Sequence, residues 1–593
     1  MKHIVKHVKP YLGLLAASII LLAAQAYCNL MLPNIMSQIV NVGIQGYTQK
    51  IAGAGSSVMV EALKAEQLHY IYTMGAKMLI LAVITSLIAL SVQLCNARLG
   101  TGVGRDLRKT IFTKIESFSS QEFDQFSTAS LITRTTNDVQ QVQQMLTMGI
   151  RIIVFAPFMG IGGVVMALNK APSMAWINVL SVILVIGLIS VIYTFALPKF
   201  KIIQALVDRL NLVARESLQG LMVVRAFSKQ KYEQERFDVA NEEYKNNNLY
   251  VNRIMSVMGP STGLLQTMVP VVIIWAGAAK IAQSRLLVGD MMAFIQYSGN
   301  IMEAFMMISQ IFVMIPRAMV SVNRIAEILD KENTIVEKSQ PTFVERGACK
   351  VQFKNVYFSY PNSQENALED INFTAMPGQT TAIIGSTGCG KTSVLNLIPR
   401  LYDVTSGQVL INGVDVRDMG IENLRDLVGT IPQKSVLFSG TIRSNMLVGK
   451  ADATDEEIEE ATAISQAKTF VEANEQKYEA LISQGGTNVS GGQKQRLSIA
   501  RAIIKKAPIY IFDDSFSALD FTTDLNLRKA LNHSLSGSTI IIVGQRVASI
   551  MNADSIIVMD KGRIVGKGTH KELLESCEEY KEIAYSQLSK EEV

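Results

Sequence analysis

Six apolar stretches recur through the first half of this chain, near residues 11–35, 72–97, 150–169, 174–197, 255–281 and 290–315. About 20 apolar helical residues are needed to cross the hydrocarbon core of a bilayer. Inside lipid every backbone N–H and C=O must find a partner within the protein, so such stretches are confined to helices. Any one of them would read equally well as a buried helix of a soluble domain. Six in succession exclude that reading, and a membrane domain of six transmembrane helices is expected.

The segments between them alternate in character. The one after the second stretch carries Arg98, Arg105, Arg108, Lys109, Lys114 and Arg134, and the one from Lys199 to Arg253 is also basic. Positive charge favours the cytoplasmic side, so these loops and both ends of the domain are expected inside. Val42–His69 is then external, Gly/Ser-rich at Gly53–Ser57 and helical beyond. The basic start, with Lys2, Lys6 and Lys9, competes as a signal peptide. The apolar run from Tyr11 to about Leu32 is too long for that, and no small-residue cleavage site follows it. Helical periodicity at Val213–Phe227 predicts that membrane helices extend past the bilayer.

Composition agrees with a membrane protein that has a soluble part. Charged residues are 18% and mean hydropathy is +0.24, against about 25% charged in an ordinary soluble domain. Basic loops account for the net charge of +5, so no nucleic-acid partner is expected. The five cysteines are odd in number and not at metal spacing, which argues against a disulfide framework or a zinc site. Three parts follow: a membrane domain at 1–330, a charged linker at 331–347 containing Pro341, and a soluble domain at 348–593. In the last, β-rich runs such as TTAIIG, IYIFDD and TIIIVG alternate with amphipathic helices, the pattern of an α/β fold.

Within that domain, Gly385-Ser386-Thr387-Gly388-Cys389-Gly390-Lys391-Thr392, with Ser393 next, follows an apolar strand and opens a helix. This is a phosphate-binding loop in its proper context. Glycines let backbone N–H groups curl around phosphate oxygens. Lys391 supplies positive charge, and the Thr392 hydroxyl is a ligand for Mg²⁺. Further on, the strand Ile509–Asp513 ends in an acid suited to Mg²⁺. Between the two lies Val489-Ser490-Gly491-Gly492-Gln493, a second glycine turn at a helix start.

With these motifs in order, the chain resembles an ABC exporter half-transporter of the multidrug kind, over nearly its whole length. The resemblance implies an exporter-fold α-helical membrane domain followed by an α/β ATP-binding cassette, with ATP and Mg²⁺ as cofactors. It implies that Tyr360 stacks on adenine, that Gln433 senses the γ-phosphate beside the metal, that Ser490–Gln493 is the signature and that Ser517–Asp520 is the D-loop. It also implies short coupling helices near Ser119–Phe126 and Ala214–Gly220 that dock on the cassette. The implied setting is a bacterial cytoplasmic membrane, crossed several times, with the cassette in the cytoplasm.

Three positions depart from the family pattern. The general base after Asp513 is Asp514 instead of Glu, which sets its carboxylate back by roughly 1.5 Å, one C–C bond. The switch position is Gln545 instead of His, and Gln cannot carry a proton. Gln484 stands where exporters often have Glu. Binding residues are kept while the catalytic pair Asp514 and Gln545 is altered. The chain is therefore expected to resemble the degenerate-site subunit of bacterial heterodimeric exporters, which binds ATP and hydrolyses it slowly beside an unlike second half-transporter. A homodimer is the alternative partner arrangement.

The implied activity is ATP-driven export of small, amphipathic or multidrug-like substrates, with lipids and peptides as further cargo classes. On the sixth apolar stretch Gln296, Asn300, Glu303 and Gln310 fall on one helical face. A carboxylate within the membrane is expensive and faces a cavity or a partner, so Gln296, Asn300 and Glu303 are candidate substrate contacts. A helix-packing stripe is the competing reading. Met291, Met292, Met302, Met306 and Met307 nearby suit either a promiscuous pocket or plain core. Alternative functions are an exporter-shaped importer of metal-chelate ligands and a non-transporting ATP-gated regulatory subunit. No ligand-processing or cargo-trimming region is seen before the first helix, which counts against the importer and against a peptide-trimming exporter.

Overall fold

Apolar side chains on nearly every face oblige the first half of the chain to close its hydrogen bonds within single segments, and it does so as helices. The computed structural model describes residues 2–361 and 363–587. They form two units, one from the residues up to Glu116 together with Thr128–Lys331, the other from Ser117–Ser127 together with the residues from Glu332 onward.

In chain order the helices are α1 (Lys2–Val8), α2 (Leu12–Gln38), α3 (Ser57–Glu116), α4 (Ser120–Gln125), α5 (Val139–Lys170), α6 (Ala175–Gln219), α7 (Leu221–Ala226), α8 (Gln230–Ala282) and α9 (Val288–Leu329). Six of them, α2, α3, α5, α6, α8 and α9, are long and apolar enough to cross a membrane. At 1.5 Å per residue the 60 residues of α3 reach about 90 Å, roughly three times the hydrocarbon thickness. Only 11% of its most apolar window is buried within the unit, so most of that surface is left for lipid or another chain.

Small residues let α5 approach its neighbours closely. A Cβ at Gly162 would lie 2.3 Å from Leu30 Cδ1 of α2, and one at Gly163 would lie 2.9 Å from Ile301 Cγ1 of α9. Hydrogen bonds join the helices: Ser298 Oγ donates to Asn178 Oδ1 at 2.5 Å and Tyr297 OH to the Leu30 carbonyl at 3.0 Å. Lys170, the last residue of α5, meets Asp290 in the first turn of α9 at 3.0 Å, and each charge suits the helix dipole at its end. The segment Ile39–Gly46 is a π-helix, followed by a short helix at Tyr47–Ala52; the chain breaks at the expected Gly/Ser-rich point before α3.

One expectation needs correction. Ala214–Gly220 is not a separate short helix; residues 214–219 are the last turns of α6, and Gly220 ends it. The short helix is α7, just beyond. Beyond Pro198 the helix meets no further Gly or Pro until Gly220, where it ends.

Among the described residues the second unit holds three sheets, the smallest a two-stranded antiparallel pair of Gly440–Thr441 with Leu481–Ile482. An antiparallel one has the order β2-β1-β4-β5, from β1 (Val351–Phe358), β2 (Leu368–Ala375), β4 (Ser406–Ile411) and β5 (Val414–Asp415). The six-stranded one has the order β10-β9-β3-β8-β7-β6, from β3 (Thr380–Gly385), β6 (Val428–Ile431), β7 (Ile509–Asp513), β8 (Thr539–Val543), β9 (Ser555–Asp560) and β10 (Arg563–Gly568). All neighbours in the larger sheet are parallel except β9 and β10. Continuous apolar runs suit strands buried on both faces, and β7 and β8 are buried throughout. Three further helices are α10 (Lys391–Leu397), α11 (Gly491–Ile503) and α12 (Phe521–Ser534).

The segment read as a linker, 331–347, is tied onto this unit from Glu332 on. Thr342 N–H donates to the Asp418 carbonyl at 2.8 Å, Val344 N–H donates to Asn423 Oδ1 at 3.0 Å, and Ile335 and Val344 are buried. Its charged composition masked these two apolar anchors. Residues 588–593 of the expected soluble domain lie outside the described residues.

The short segment around α4 belongs to this unit as well. Ser119 and Glu122 form a capping box. The fully buried Glu122 carboxylate accepts from Ser119 N–H at 3.0 Å and from Thr334 N–H at 3.1 Å. Burial pushes its carboxyl up, but the hydrogen bonds from Ser119 and Thr334 outweigh that and hold it below the usual range. A depressed carboxyl contributes stability above its unfolded pKa and loses it as pH falls through the folded value. Glu122→Gln is therefore expected to destabilise this unit by about 1–3 kcal/mol near neutral pH, with the difference shrinking in acid. Thermal unfolding of both proteins across pH checks this, and a constant gap would contradict it.

Candidate functional site

The parallel order β3-β8-β7 sets three loops side by side at the carboxyl edge of the sheet, where ligands of open α/β sheets bind. In register, Val543 of β8 lies between Ile383 of β3 and Asp513 of β7. The segments that leave this edge carry the phosphate loop, Asp514 and Gln545.

The phosphate loop turns tightly between β3 and α10. Gly390 caps α10 with φ +100, and a Cβ there would fall 2.7 Å from Leu368 Cδ2 and 2.9 Å from the Ala367 carbonyl, so only glycine fits. Gly388 takes φ +87. Lys391 Nζ donates to the Gly385 and Ser386 carbonyls at 2.8 and 2.7 Å, which holds the cation against the loop. Cys389 is buried and Ser386 and Thr387 complete the turn. The Thr392 hydroxyl donates to the Asp513 carboxylate at 3.1 Å, which puts two hard oxygen donors together.

Asp513 and Asp514 are 8% and 9% exposed. Burial raises both carboxyls. For Asp513 the neighbouring Asp514 charge adds to this while the Thr392 hydroxyl opposes it; for Asp514 hydrogen bonds from Gln433 and Ser517 oppose it. Asp514 adopts φ +47, a left-handed conformation that short polar side chains such as Asp tolerate best. Two side-chain amides converge on one of its oxygens: Gln545 Nε2 donates to Asp514 Oδ2 at 2.9 Å and Gln433 Nε2 at 3.4 Å.

The aromatic wall lies beside the loop. Tyr360 OH is 2.9 Å from Ser393 Oγ, and its ring packs edge-on against Tyr402 at 5.5 Å and Phe358 at 4.8 Å. Tyr402 OH in turn donates to Asp124 Oδ2 on α4 at 2.6 Å. Burial, then that bond, raises the Tyr402 hydroxyl above its ordinary range. Tyr402 and Gln495 were not anticipated from the sequence. Gln495 of α11, 3% exposed, donates to the Asp514 carbonyl at 3.4 Å and accepts from Ala518 N–H at 3.3 Å, tying the signature helix to the D-loop. Its place two residues after Gln493 was the one available signal.

Ser490–Gln493, expected as the signature, stand at the start of α11. Ser490 and Gln493 form a capping box in which each side chain accepts from the other's main-chain N–H, and Gly491 and Gly492 make the first turn between them. In the membrane unit, Gln296 and Glu303 of α9 are exposed and Asn300 is half-buried. They lie on the face beside that of Tyr297, Ile301 and Ala304, about 100° around the helix, and those three are buried. Met302 is in the core and Met291, Met306 and Met307 pack against it, so these methionines serve packing.

Two family models match the chain, the ABC transporter transmembrane region over residues 15–305 and the ABC transporter domain over 368–517. An uncharacterized ABC transporter ATP-binding protein of Mycobacterium tuberculosis is 37% identical over 98% of this chain and 97% of its own length. The chain belongs to the ABC transporter family. YfiB of Bacillus subtilis, another uncharacterized ABC transporter ATP-binding protein, is 33% identical over 100% of this chain and 99% of its own. An ATP-dependent lipid A-core flippase of Aromatoleum aromaticum is 31% identical over 99% and 96%. The fold of this ABC transporter also matches a bacterial Atm1-family ABC exporter solved with ATP bound, at TM-score 0.76 and 22% identity, over 98% of this chain and 99% of that one.

ABC transporters take ATP at the cassette, and we propose that the Tyr360 ring stacks on the base. Loss of one base–aromatic stack costs about 1–3 kcal/mol. Tyr360→Ala should therefore weaken ATP binding by roughly ten-fold, while Tyr360→Phe stays close to the parent; titration with a fluorescent ATP analogue distinguishes them.

Proposed function

We propose that this chain is the ATP-retaining half of a heterodimeric exporter. It would pair with an unlike half-transporter and move small amphipathic substrates out across the cytoplasmic membrane. The observation that carries this reading is the state of Asp514. Its carboxylate is one methylene shorter than a glutamate, and Oδ2 already accepts from Gln545 and Gln433. A general base must reach its water and have a lone pair free for it. Gln545 donates hydrogen bonds but carries neither proton nor charge. General-base catalysis contributes about 10²–10⁴ in rate, so losing it leaves a site that holds nucleotide and turns it over slowly.

Binding functions are intact. Lys391 and the loop Gly385–Thr392 with Ser393 would take the phosphates, and Tyr360 the base. The oxygen donors Thr392 and Asp513, with Gln433 on the same edge, fit Mg²⁺, which neutralises phosphate charge when bound. In the family's head-to-tail dimer, Ser490–Gln493 of this chain would complete the partner's site, where a Glu and a His supply the chemistry. ATP would close the two cassettes, and the path from Tyr360 through Tyr402 to Asp124 would carry closure toward the membrane helices.

The exposed stripe Gln296, Asn300 and Glu303 supports a cargo path between two half-transporters. Relatives named as lipid A-core flippases favour an amphipathic cargo.

In the reconstituted pair, nucleotide trapped at this chain's site should outlast that at the partner's. Asp514→Glu should restore hydrolysis only in part, because Gln545 remains and because φ +47 suits Glu less well than Asp; Asp514→Glu with Gln545→His should restore more. Brisk ATP turnover and transport by this chain paired with itself would overturn the reading. Glu303→Gln should slow vesicle transport of cationic cargo several-fold with ATP binding unchanged.

A further inference from the structure

We propose that Gln587 is a positioning residue that clamps the segment after β8 and so sets where Gln545 meets Asp514. The inference rests on reading the cassette as an ATP site. Gln587 lies in α13 (Glu578–Gln587). Tyr580, Ala584 and Gln587 fall at i, i+4 and i+7, on one face of that helix. The first two are fully buried in the same core as Val547 and Ile550, and Tyr580 OH is 2.7 Å from His570 Nδ1, so the helix is anchored beneath the segment it touches.

Gln587 then continues an apolar face with an amide, and both halves of that amide are used. Its Oε1 accepts from Val547 N–H at 2.8 Å and its Nε2 donates to the Gln545 carbonyl at 2.9 Å. Arg546 between them is extended, φ −102 and ψ 126, so the side chain pairs with this stretch as a neighbouring strand would. The position needs such support. The parallel ladder ends with Gly544 N–H on the Ile383 carbonyl at 3.2 Å, and a 3-10 turn begins at Val547. Gln587 bridges that gap. From the clamped backbone Gln545 Nε2 reaches Asp514 Oδ2 at 2.9 Å. The placement of α13 is thereby linked through three hydrogen bonds to the carboxylate beside the phosphate site.

Gln587→Met keeps the side-chain length and removes both bonds. Gln587→Glu keeps the acceptor for Val547 but turns an oxygen toward the Gln545 carbonyl. In the full chain within its membrane assembly, both variants should speed amide exchange across residues 544–550 by roughly three- to ten-fold, the range that one or two exposed hydrogen bonds support. Release of pre-bound radiolabelled ATP should quicken by a similar factor, with the melting temperature unchanged. Parent-like exchange and release in Gln587→Met would overturn the proposal, as would an equal rise in exchange throughout the cassette, which would assign Gln587 to folding. Should the parent turn over ATP briskly, the ATP-retaining reading fails on its own. The clamp would then be judged by exchange at 544–550 together with the turnover rate: a local rise with altered turnover upholds it, and no change in either ends it.

Discussion

The parallel pairing of β3, β8 and β7 is the constraint on which the cassette's chemistry depends. Three strands buried on both faces share one register, so the residues that leave their carboxyl ends meet within hydrogen-bond reach although they are distant in sequence. Thr392, Asp514 and Gln545 owe their proximity to it. A slip of one residue in any of these strands would turn its side chains to the other face and separate the group. The continuous apolar character of β7 and β8 makes such a slip expensive.

From that edge two routes lead outward within the same unit, one through a ring contact and a hydrogen bond, the other through hydrogen bonds. One runs through the aromatic wall, where Tyr360 meets Tyr402 and Tyr402 meets Asp124 of α4. The α4 segment is itself fastened by the buried Glu122, which takes main-chain hydrogen bonds at both of its contacts. The other runs from Asp514 through Gln545 to Gln587 on α13. The polar groups along both routes are hydrogen-bonded, whereas an unpaired buried polar group would cost about 1–3 kcal/mol.

Much of this was legible in the residues. The six apolar stretches, the Gly385–Thr392 loop, the acid at the end of β7 and the signature at Ser490–Gln493 each depend on local composition or short spacing, and each lies on the expected element. Where reading failed, the cause was a competition settled beyond the local window. Residues 214–219 stayed within α6 because helix propagation outruns a polar pattern until a glycine intervenes. The charged stretch after Glu332 looked free because two buried side chains, Ile335 and Val344, weigh little in a composition count.

By itself the sequence determined that the chain has six membrane-spanning helices, that a phosphate-loop domain follows, and that Asp and Gln stand at positions 514 and 545. These follow from residue type, because lipid, phosphate and proton transfer each demand particular groups. Tertiary structure alone decided that Gln545 and Gln433 share one oxygen of Asp514, that Tyr402 joins the aromatic wall to α4, and that Gln587 hydrogen-bonds the backbone at Gln545 and Val547. Such contacts join residues tens to hundreds of positions apart, and only the packing of strands and helices into one core brings their polar atoms within 3.5 Å.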